Sequence, residues 1–545
     1  MVRRGLSLAV HVASADFRQR VRSRRLLVVL AAVAYFGYQF NVGALELLYM
    51  ETVNGETLNY RGEPTSAYVG LTTGVTGATI LLFVGYYVLT GSLERDRSTG
   101  VDQLVASTPV ENWSYLLGKW LSHLGIVSVI LVTLGSGALI DHLVHGVGTT
   151  NPLWIFGAVF FVGFPLGCFV AGVTVLFQSI DRLAGTLGNV VYVFGAMTLL
   201  SVFLAIAHDR GAETTTLWIR LGDTVGLFAA GEMTFDALLA VAPEYSGPAV
   251  ANYGTGADGA ETVTYYWGGG VWPGWFYVNR LGLVLLGVGL VVVATVPYDR
   301  VSSGRNTTQT PVLGRFGRFL PSFFGGRTTV EPDSHVGQNT SLTPVTDRTS
   351  DGFGELFVQE LRLLLRGHPW WWYVGGAAIA VVGLSGSASP RAVASIAAIW
   401  PLFLWSTMGY RATTHRITPF IVSSKQPYGQ LLAEWAAGVL VTTIFFGVAL
   451  WPTVAETGFN GFLVLAGGVL FVPAFAQLSG LVSRTRRLFE LGYLVVWYVG
   501  PLNGVAVLDF AGATGETAGT VTPLLFGTVG VVALLGAVAY RSLQV

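Results

Sequence analysis

Only a few side chains in this sequence have the types and spacing that chemistry at a site requires. The motif D-H-x-x-H at residues 141–145 could present zinc ligands on one helix, but no cysteine pair or second cluster accompanies it, which favours a solvated helix end. The only Gly-Lys pair, Gly118-Lys119, is followed by tryptophan rather than by the Ser or Thr of a phosphate-binding loop. We therefore expect no catalytic residue, no metal site and no ATP site in the chain itself.

Four acidic residues lie near hydrophobic stretches of the chain: Glu46, Asp141, Glu434 and Glu490. All four fall close to the expected ends of these stretches, whereas an ion-coupled carrier usually places its ionisable groups within the membrane. This disfavours ion-coupled transport. An ion-coupled secondary transporter with parallel repeats, and a membrane scaffold or enzyme without a transport function, remain as alternatives.

The composition is that of a membrane protein. Of the 545 residues, 52% are hydrophobic and 11% are charged, whereas about 25% of residues are charged in soluble domains. A helix needs about 20 mostly apolar residues to cross a bilayer. Twelve runs of this kind predict an all-α polytopic membrane protein, and they lie at residues 26–45, 67–90, 114–140, 151–177, 187–207, 279–297, 370–385, 392–410, 429–450, 461–482, 489–508 and 522–540.

The distribution of arginine and lysine predicts the orientation, because both are enriched in cytoplasmic loops. If the N-terminus is cytoplasmic, 26 of the 31 basic residues lie on the inner side. We therefore expect a multi-pass protein of the cell membrane with both termini in the cytoplasm.

The two six-span halves resemble each other. Residues 116–120 and 431–435 share the pattern Leu-Leu-x-x-Trp at an offset of 315, and Ser107 corresponds to Ser423 at an offset of 316. Because each half has an even number of spans, the two repeats are expected to be parallel.

Each half begins with an amphipathic, positively charged segment, which predicts a helix in the membrane interface. The arginines expected at the interface are Arg18, Arg22, Arg25, Arg362 and Arg366. The predicted organisation is an amphipathic helix at 1–25, a six-span unit at 26–297 with an external subdomain at 208–278, a flexible cytoplasmic linker at 298–354, a second amphipathic helix at 355–368 and a second six-span unit at 369–545.

The loop between the second and third predicted spans, Glu94–Trp120, is the most informative segment. It has a cluster of acidic and basic residues, a leucine-containing segment that ends in Ser-Thr-Pro-Val, and Tyr-Leu-Leu-Gly-Lys-Trp at the start of the next span. This arrangement resembles type-2 ABC transporter permeases. In the second half, Tyr410–Thr413 lacks the carboxylates and Glu434 stands in place of Lys119.

The whole chain looks like a tandem fusion of two such permease units. The 29 arginines against 2 lysines indicate a GC-rich prokaryote such as a halophilic archaeon.

The resemblance implies a permease subunit that couples ATP hydrolysis by separate ATPase subunits to substrate export. The polar face that docks in the ATPase would consist of Glu94, Arg95, Asp96, Arg97, Asp102 and Gln103, with Leu104 and Val105 packing beneath. The counterparts in the second half would be Arg411, Arg416, Thr418 and Lys425, and secondary contacts would come from Asp181, Arg182, Arg484 and Arg486. The alternative is that these charges merely form a solvated loop.

The implied partners are two ABC ATPase subunits, which bind ATP and Mg²⁺, and membrane lipid. The resemblance implies no cofactor in this chain and no nucleic acid partner. One chain would supply both transmembrane halves.

Overall fold

The computed structural model divides the chain into two compact units, Met1–Thr308 and Gln309–Val545. The described residues are 2–39, 46–53, 56–108, 110–210, 217–245, 252–254, 262–298, 352–366, 368, 370–386, 388–415, 417–502 and 504–544. Almost all of the predicted linker at 298–354 therefore lies outside the described residues.

The first unit contains an amphipathic helix, a series of long apolar helices and four strands. Its helices are α1 (Val2–Val21), α2 (Arg24–Gln39), α3 (Ser66–Ile80), α4 (Tyr86–Leu89), α5 (Ser92–Thr99), α6 (Val101–Ala106), α7 (Asn112–His145), α8 (Pro152–Ser179), α9 (Thr186–Arg210), α10 (Leu217–Gly222), α11 (Leu227–Val241) and α12 (Gly274–Ala294). Its strands are β1 (Glu46–Val53), β2 (Glu56–Gly62), β3 (Asn252–Gly254) and β4 (Thr262–Tyr265).

In its described part, the second unit has helices as its regular secondary structure. Its helices are α13 (Phe353–Leu365), α14 (Trp370–Ser385), α15 (Pro390–Ile399), α16 (Leu402–Trp405), α17 (Arg411–Thr414), α18 (Thr418–Val422), α19 (Pro427–Thr457), α20 (Phe459–Ser483), α21 (Arg487–Trp497) and α22 (Thr522–Ser542).

The chain is a predominantly α-helical, polytopic membrane protein, as the hydrophobic runs predict. Seven helices in the described part of the chain are long and apolar enough to cross a bilayer, and four shorter apolar helices coincide with four more of the predicted runs. The remaining run, at 489–508, begins as α21 and continues as the π-helical turn Tyr498–Leu502. Every predicted run therefore overlaps a helix, while the number of twelve crossings stays a prediction.

Glycine allows helices of the first unit to approach closely. A Cβ atom added to Gly137 in α7 would lie 2.5 Å from the carbonyl oxygen of Ala34 in α2, and one added to Gly172 in α8 would lie 2.5 Å from that of Gly287 in α12. Small residues at such contacts are typical of helix packing in lipid, where van der Waals contact holds neighbouring helices together.

One face of the amphipathic helix α1 packs along the first turns of α7. Gly5 lies against Trp113, and Ala9 is fully buried against Gly118. Asp16 continues this face two turns further along α1 and is only 4% exposed. The helix thus has a buried face made of small residues and one carboxylate, in addition to its apolar and basic faces.

The four strands form one sheet in the order β3-β1-β2-β4. Strand β1 pairs antiparallel with β2 and with β3, and β2 pairs parallel with β4. The hairpin at residues 46–62 was not predicted from the sequence. This hairpin adds two strands to the predicted external segment 208–278.

Aromatic side chains pack the sheet against α11. The rings of Tyr49, Tyr245 and Tyr265 are buried, and the Tyr49 ring centroid lies 6.1 Å from that of Tyr245 and 6.3 Å from that of Tyr265. The Tyr49 hydroxyl donates to the carbonyl oxygen of Gly231 in α11 at 3.1 Å. Aromatic burial and this hydrogen bond fix the position of the sheet on the helix.

A buried arginine joins α12 to the segment that precedes α11. Arg280 is 2% exposed, and its guanidinium donates to the carbonyl oxygens of Val162 at 3.0 Å, Thr224 at 2.9 Å and Asp223 at 2.5 Å. The Asp223 carboxylate accepts a hydrogen bond from the backbone N–H of Gly226 at 2.8 Å. Arg280 thereby satisfies carbonyl groups of two separate segments.

Candidate functional site

Three elements of the first unit meet at Lys119, near the start of α7. The Lys119 Nζ atom lies 2.8 Å from Asp16 Oδ1 in α1 and 2.5 Å from Asp96 Oδ2 in α5. The three side chains are 4%, 3% and 10% exposed, respectively. We call this group the first triad; it ties the amphipathic helix, the loop and a membrane-spanning helix together.

Neighbouring groups complete the hydrogen bonds of the first triad. Arg95 Nη2 lies 2.9 Å from Asp16 Oδ1, and the Ser122 hydroxyl donates to Asp16 Oδ2 at 2.6 Å. The Tyr115 hydroxyl donates to Asp96 Oδ2 at 2.6 Å. Both carboxylates therefore have several donors, as buried charges require.

The electrostatic balance keeps Asp16 ionised. Burial alone would raise the pKa of the Asp16 carboxyl, but the nearby charges of Lys119 and Arg20, together with hydrogen bonds, hold this pKa well below its ordinary value. Asp16 therefore carries its negative charge at neutral pH.

Three elements of the second unit meet in the same way at Arg411, the first residue of α17. Arg411 Nη2 lies 2.8 Å from Glu360 Oε2 in α13 and 2.9 Å from Glu434 Oε1 in α19. The side chains of Arg411, Glu360 and Glu434 are 21%, 11% and 5% exposed. We call this group the second triad.

Amide side chains complete the second triad. Gln430 Nε2 donates to Glu360 Oε1 at 2.9 Å, and Gln477 Nε2 donates to Glu434 Oε2 at 3.2 Å. Burial and the neighbouring Glu434 carboxylate raise the pKa of Glu360, and Arg411 only partly opposes this rise. Each triad has one cation and two carboxylates, but two further cations, Arg20 and Arg95, lie near Asp16 in the first.

The two triads share one design with two charges exchanged. In both, the amphipathic helix supplies a carboxylate, and the loop residue precedes its partner in the spanning helix by 23 residues. In the first triad the loop supplies the acid Asp96 and the spanning helix supplies the base Lys119. In the second, the loop supplies the base Arg411 and the spanning helix supplies the acid Glu434.

A glycine with positive φ begins the loop in each unit. The N–H of Gly91, at φ +93°, donates to Gln178 Oε1 at 3.0 Å, and the N–H of Gly409, at φ +69°, donates to Glu434 Oε1 at 3.1 Å. Glycine adopts this conformation without the steric cost that other residues meet. In both units, a hydrogen bond to a neighbouring side chain therefore fixes the backbone where the loop begins.

We expect Gly409→Ala to destabilise the second unit by about 2 kcal/mol more than Gly100→Ala destabilises the first. Both glycines have positive φ, at +69° and +75°, so both substitutions carry the cost of a left-handed conformation, about 1 kcal/mol. A Cβ atom on Gly409 would also lie 2.1 Å from the carbonyl oxygen of Gln477, whereas one on Gly100 meets nothing within 4 Å. Thermal unfolding in detergent measures both, and equal losses would contradict the steric argument.

Each loop also carries a short helix with exposed apolar side chains. In α6, Val101 is 39% and Leu104 is 68% exposed; in and before α18, Ile417 is 43% and Phe420 is 76% exposed. In both pairs the residues are three apart and so lie on one helix face. The offset between the pairs is 316, the same as between Ser107 and Ser423. We call α6 and α18 the loop helices.

The structure corrects part of the predicted docking face. Asp96 and Asp102 are buried, at 7% and 4% exposed, so neither contributes an exposed charge. The expectation that Leu104 packs beneath the face is wrong, because Leu104 is among the more exposed side chains of the loop. The physical reason is that Asp96 finds a cationic partner in α7, so that the loop turns its apolar side chains outward instead.

The other predicted residues of the first loop are divided between ion pairs and solvent. Glu94 and Gln103 are exposed, and Val105 is half-buried. Arg95 is half-buried beside Asp16, as described above, and Arg97 Nη1 lies 3.3 Å from Asp181 Oδ1 in the loop after α8. That contact joins a predicted primary residue to a predicted secondary one.

The predicted residues of the second unit are only partly brought together. Arg411 is the centre of the second triad, Thr418 begins α18 half-buried, and Lys425 is exposed. Arg486 lies over the ring of Tyr410, 5.7 Å from its centroid, and so joins the loop after α20 to this loop. Arg416 lies outside the described residues.

The remaining predicted residues are at the surface. Their exposed members are Arg18, Arg22, Arg182, Arg362, Arg366 and Arg484. The side chain of Arg25 lies outside the described residues. The interfacial role of these arginines stays a prediction.

Two functional candidates were not predicted from the sequence, namely the carboxylates of the amphipathic helices, Asp16 and Glu360. A usable signal was present, because each lies on a short amphipathic helix with few other acidic residues. Their partners Lys119 and Arg411 lie 103 and 51 residues away, so spacing along the chain does not indicate the pairing.

The histidine motif after the third predicted span does not assemble a metal site. His142 Nε2 lies 2.9 Å from the Ser66 hydroxyl, while His145 Nδ1 lies 3.0 Å from Asp141 Oδ1. Within the part of the chain that the structure describes, no group of three His, Cys, Asp or Glu side chains could hold a metal ion.

Residues 10–221 match the family described as ABC-2 family transporter protein. This range includes α1 from Val10 onward, the first triad and α6. No curated protein matches the chain.

Proposed function

Because residues 10–221 match the family described as ABC-2 family transporter protein, we propose that the chain is the transmembrane permease of an ATP-driven exporter whose ATPase subunits are separate proteins. Members of this family are normally the non-enzymatic transmembrane component of a transporter. In this proposal the ATPase partner binds ATP and Mg²⁺, and the chain itself binds the partner and the exported substrate.

The observation that supports the docking assignment is the pair of loop helices with equivalent exposed apolar side chains. An exposed Leu104 in one unit and an exposed Phe420 at the same repeat position in the other are costly to leave in water and favourable to bury in a partner's groove. We therefore assign the contact to apolar side chains, with exposed charges such as Glu94 at its rim.

One chain supplies two loop helices in this proposal, so that it engages two ATPase subunits. The equivalence of the two triads supports the second unit as a second permease unit. The two contacts are not identical, because Leu104 and Phe420 differ in size and shape.

The loop helices lie on the cytoplasmic side in this proposal, and both termini lie there as well. The excess of arginine on that side supports this orientation in the cell membrane. ATP in the cytoplasm would then reach ATPase subunits that are bound to the loop helices.

ATP binding changes the affinity of the two ATPase subunits for each other, and their approach moves the loop helices. A ligand shifts such an equilibrium only through its different affinity for the two states. ATP must therefore bind more tightly to the state in which the ATPase subunits are closed, and hydrolysis returns the permease to its starting state.

We expect a gene for a P-loop ATPase without membrane spans beside the gene for this chain. When the tagged chain is produced together with that ATPase, both should purify together and hydrolyse ATP, whereas the chain alone should not. The double variant Leu104→Arg with Phe420→Arg should lose more than about 90% of the bound ATPase, because two charges would then enter the apolar grooves.

Leu543→Arg is the matched control. Leu543 is 85% exposed and lies at the end of α22, outside both loops, so its substitution should leave ATPase recovery unchanged. Full ATPase recovery with the double variant would contradict the docking assignment. ATP hydrolysis by the chain purified alone would contradict the whole proposal.

A further inference from the structure

We propose that the two triads are positioning devices that carry movement of the loop helices to the amphipathic helices α1 and α13. This inference rests on the proposed function and deepens it, because it assigns the residues through which the partner's movement enters the permease.

Both triads resist separation of the three elements that they join. Each triad joins three elements through ion pairs of 2.5 to 2.9 Å between side chains that are mostly buried. Removing one member of a buried ion pair leaves a charge without a partner in a medium of low dielectric constant, which is strongly unfavourable. The three elements should therefore move together rather than slide past one another.

The loop helices lie close to the triads along the chain. Asp96 lies in α5, directly before α6, and Arg411 begins α17, directly before α18. A displacement of either loop helix therefore acts on the triad of the same unit. In the first unit the path continues along α1, which is packed on α7 through Gly5 and Ala9.

The acidic and basic residues of the loop and the spanning helix have opposite positions in the two units. The two units have opposite charges at two of the three triad positions. The residue types therefore differ, but in both units the loop and the spanning helix attract each other through an ion pair. A structural salt bridge kept for stability alone is readily replaced by apolar residues. Because both units retain an ion pair, we infer that the role of the triad is to hold its three elements in a fixed orientation.

Other charged groups face each triad and belong to the same balance. In the first unit these are Arg20 and Arg95, both close to Asp16. In the second unit, Arg541 of α22 donates to Gln430 at 3.3 Å. None of these groups belongs to a loop helix, so they support the triads without joining the path.

Exchanging the acid and the base between positions 96 and 119 tests this inference. Asp96→Arg alone places a second cation beside Lys119, and Lys119→Glu alone places three carboxylates together. The double variant Asp96→Arg with Lys119→Glu gives the first unit the arrangement of the second. We expect each single variant to lose the transmitted movement and the double variant to regain it.

The movement is measured as hydrogen–deuterium exchange of α1 and α13 in the complex with the ATPase, with and without ATP and Mg²⁺. In the wild type, ATP should change exchange in α1 by about tenfold, a usual size for coupling between sites. In the single variants the change in α1 should fall below about twofold while ATPase remains bound, and the change in α13 should persist as an internal control.

Two outcomes would overturn the inference. One is a full ATP-dependent change in α1 in a single variant that binds ATPase; the other is a folded double variant that responds no better than the single variants. If the first triad had only a structural role, the single variants would be less stable, but the ATP-dependent change in hydrogen–deuterium exchange would not be lost selectively in α1. If a charge-reversed single variant fails to fold, thermal unfolding of the chain alone across the milder cycle of Asp96→Asn, Lys119→Met and their double variant measures whether positions 96 and 119 are coupled, and additive losses would contradict the tie.

Failure of the proposed function looks different. If the wild-type chain binds no ATPase, the docking assignment fails, while the double-mutant cycle in the chain alone still decides whether the triad joins its elements.

Discussion

Asp16→Asn should destabilise the first unit by about 4 kcal/mol at pH 7. The change removes the carboxylate that faces Lys119 at 2.8 Å, Arg95 at 2.9 Å and Ser122 at 2.6 Å. Asparagine offers one acceptor oxygen and no charge, so cationic groups in a buried site lose their counter-ion. Thermal unfolding in detergent, followed by tryptophan fluorescence, measures the loss.

The direction of the pKa shift determines how this effect depends on pH. The pKa of Asp16 is lowered in the folded state, so the ionised carboxylate stabilises the fold at any pH above its ordinary pKa, about 3.9. This contribution is lost as the pH falls through the lowered value. The difference between wild type and Asp16→Asn should therefore be complete at pH 7 and shrink only in strong acid.

Glu360→Gln is the matched substitution in the second unit and should cost less than Asp16→Asn at pH 7, because the pKa of Glu360 is raised whereas that of Asp16 is lowered. The pKa of Glu360 is raised, so folding favours its neutral form; its contribution is present below the ordinary pKa of glutamate and is lost as the pH rises through the raised value. Glutamine resembles that neutral form, and Arg411 keeps Glu434 as its partner. Equal losses for Asp16→Asn and Glu360→Gln would contradict the difference in charge balance between the triads.

Arg280→Met should destabilise the first unit by about 4 kcal/mol, because three hydrogen bonds from a charged donor are lost together. The carbonyl oxygens of Val162, Thr224 and Asp223 would lose this donor in a region where Arg280 is 2% exposed. The same unfolding measurement applies. Proteolysis of the segment before α11 should accelerate as well, because Arg280 holds that segment against α8 and α12.

Arg220→Met is the control for this prediction. Arg220 is about one third exposed and lies 3.8 Å from Glu232, an ion pair near the surface. Such a pair contributes less than about 1 kcal/mol. If Arg220→Met were as destabilising as Arg280→Met, burial and hydrogen bonding of Arg280 could not explain its effect.

The membrane helices were the most predictable part of the fold. A span must satisfy its backbone polar groups within its own segment, so length and hydropathy are sufficient to locate it. The amphipathic helices at both starts were predictable for a similar reason, because the alternation of basic and apolar residues is local.

The sheet was not predicted, although part of its signal was present. The sequence between β1 and β2 is Asn54-Gly55, the pair most typical of a two-residue hairpin, and these two residues lie outside the described part of the chain. The pairings of β1 with β3 and of β2 with β4 depend on segments far away in the chain, which no local pattern indicates.

The loops were located correctly, but their exposed residues were not. A cluster such as Glu94–Arg97 looks like a solvated surface from its composition alone. The structure buries Asp96 because Lys119, on another helix, neutralises it, and this leaves Leu104 rather than the carboxylate to face outward. Whether a charged side chain is exposed depends on partners that only the tertiary fold supplies.

The strand order of the sheet has a consequence for the biogenesis of the protein. Strands β1 and β2 are made early, whereas β4 ends at Tyr265, about 200 residues later. At 5–20 residues per second, a ribosome needs roughly 10 to 40 s to supply the strands that complete both edges. During that interval the early hairpin has two open edges, so a nascent chain that stalls before residue 252 would present them to aggregation and to quality-control proteases.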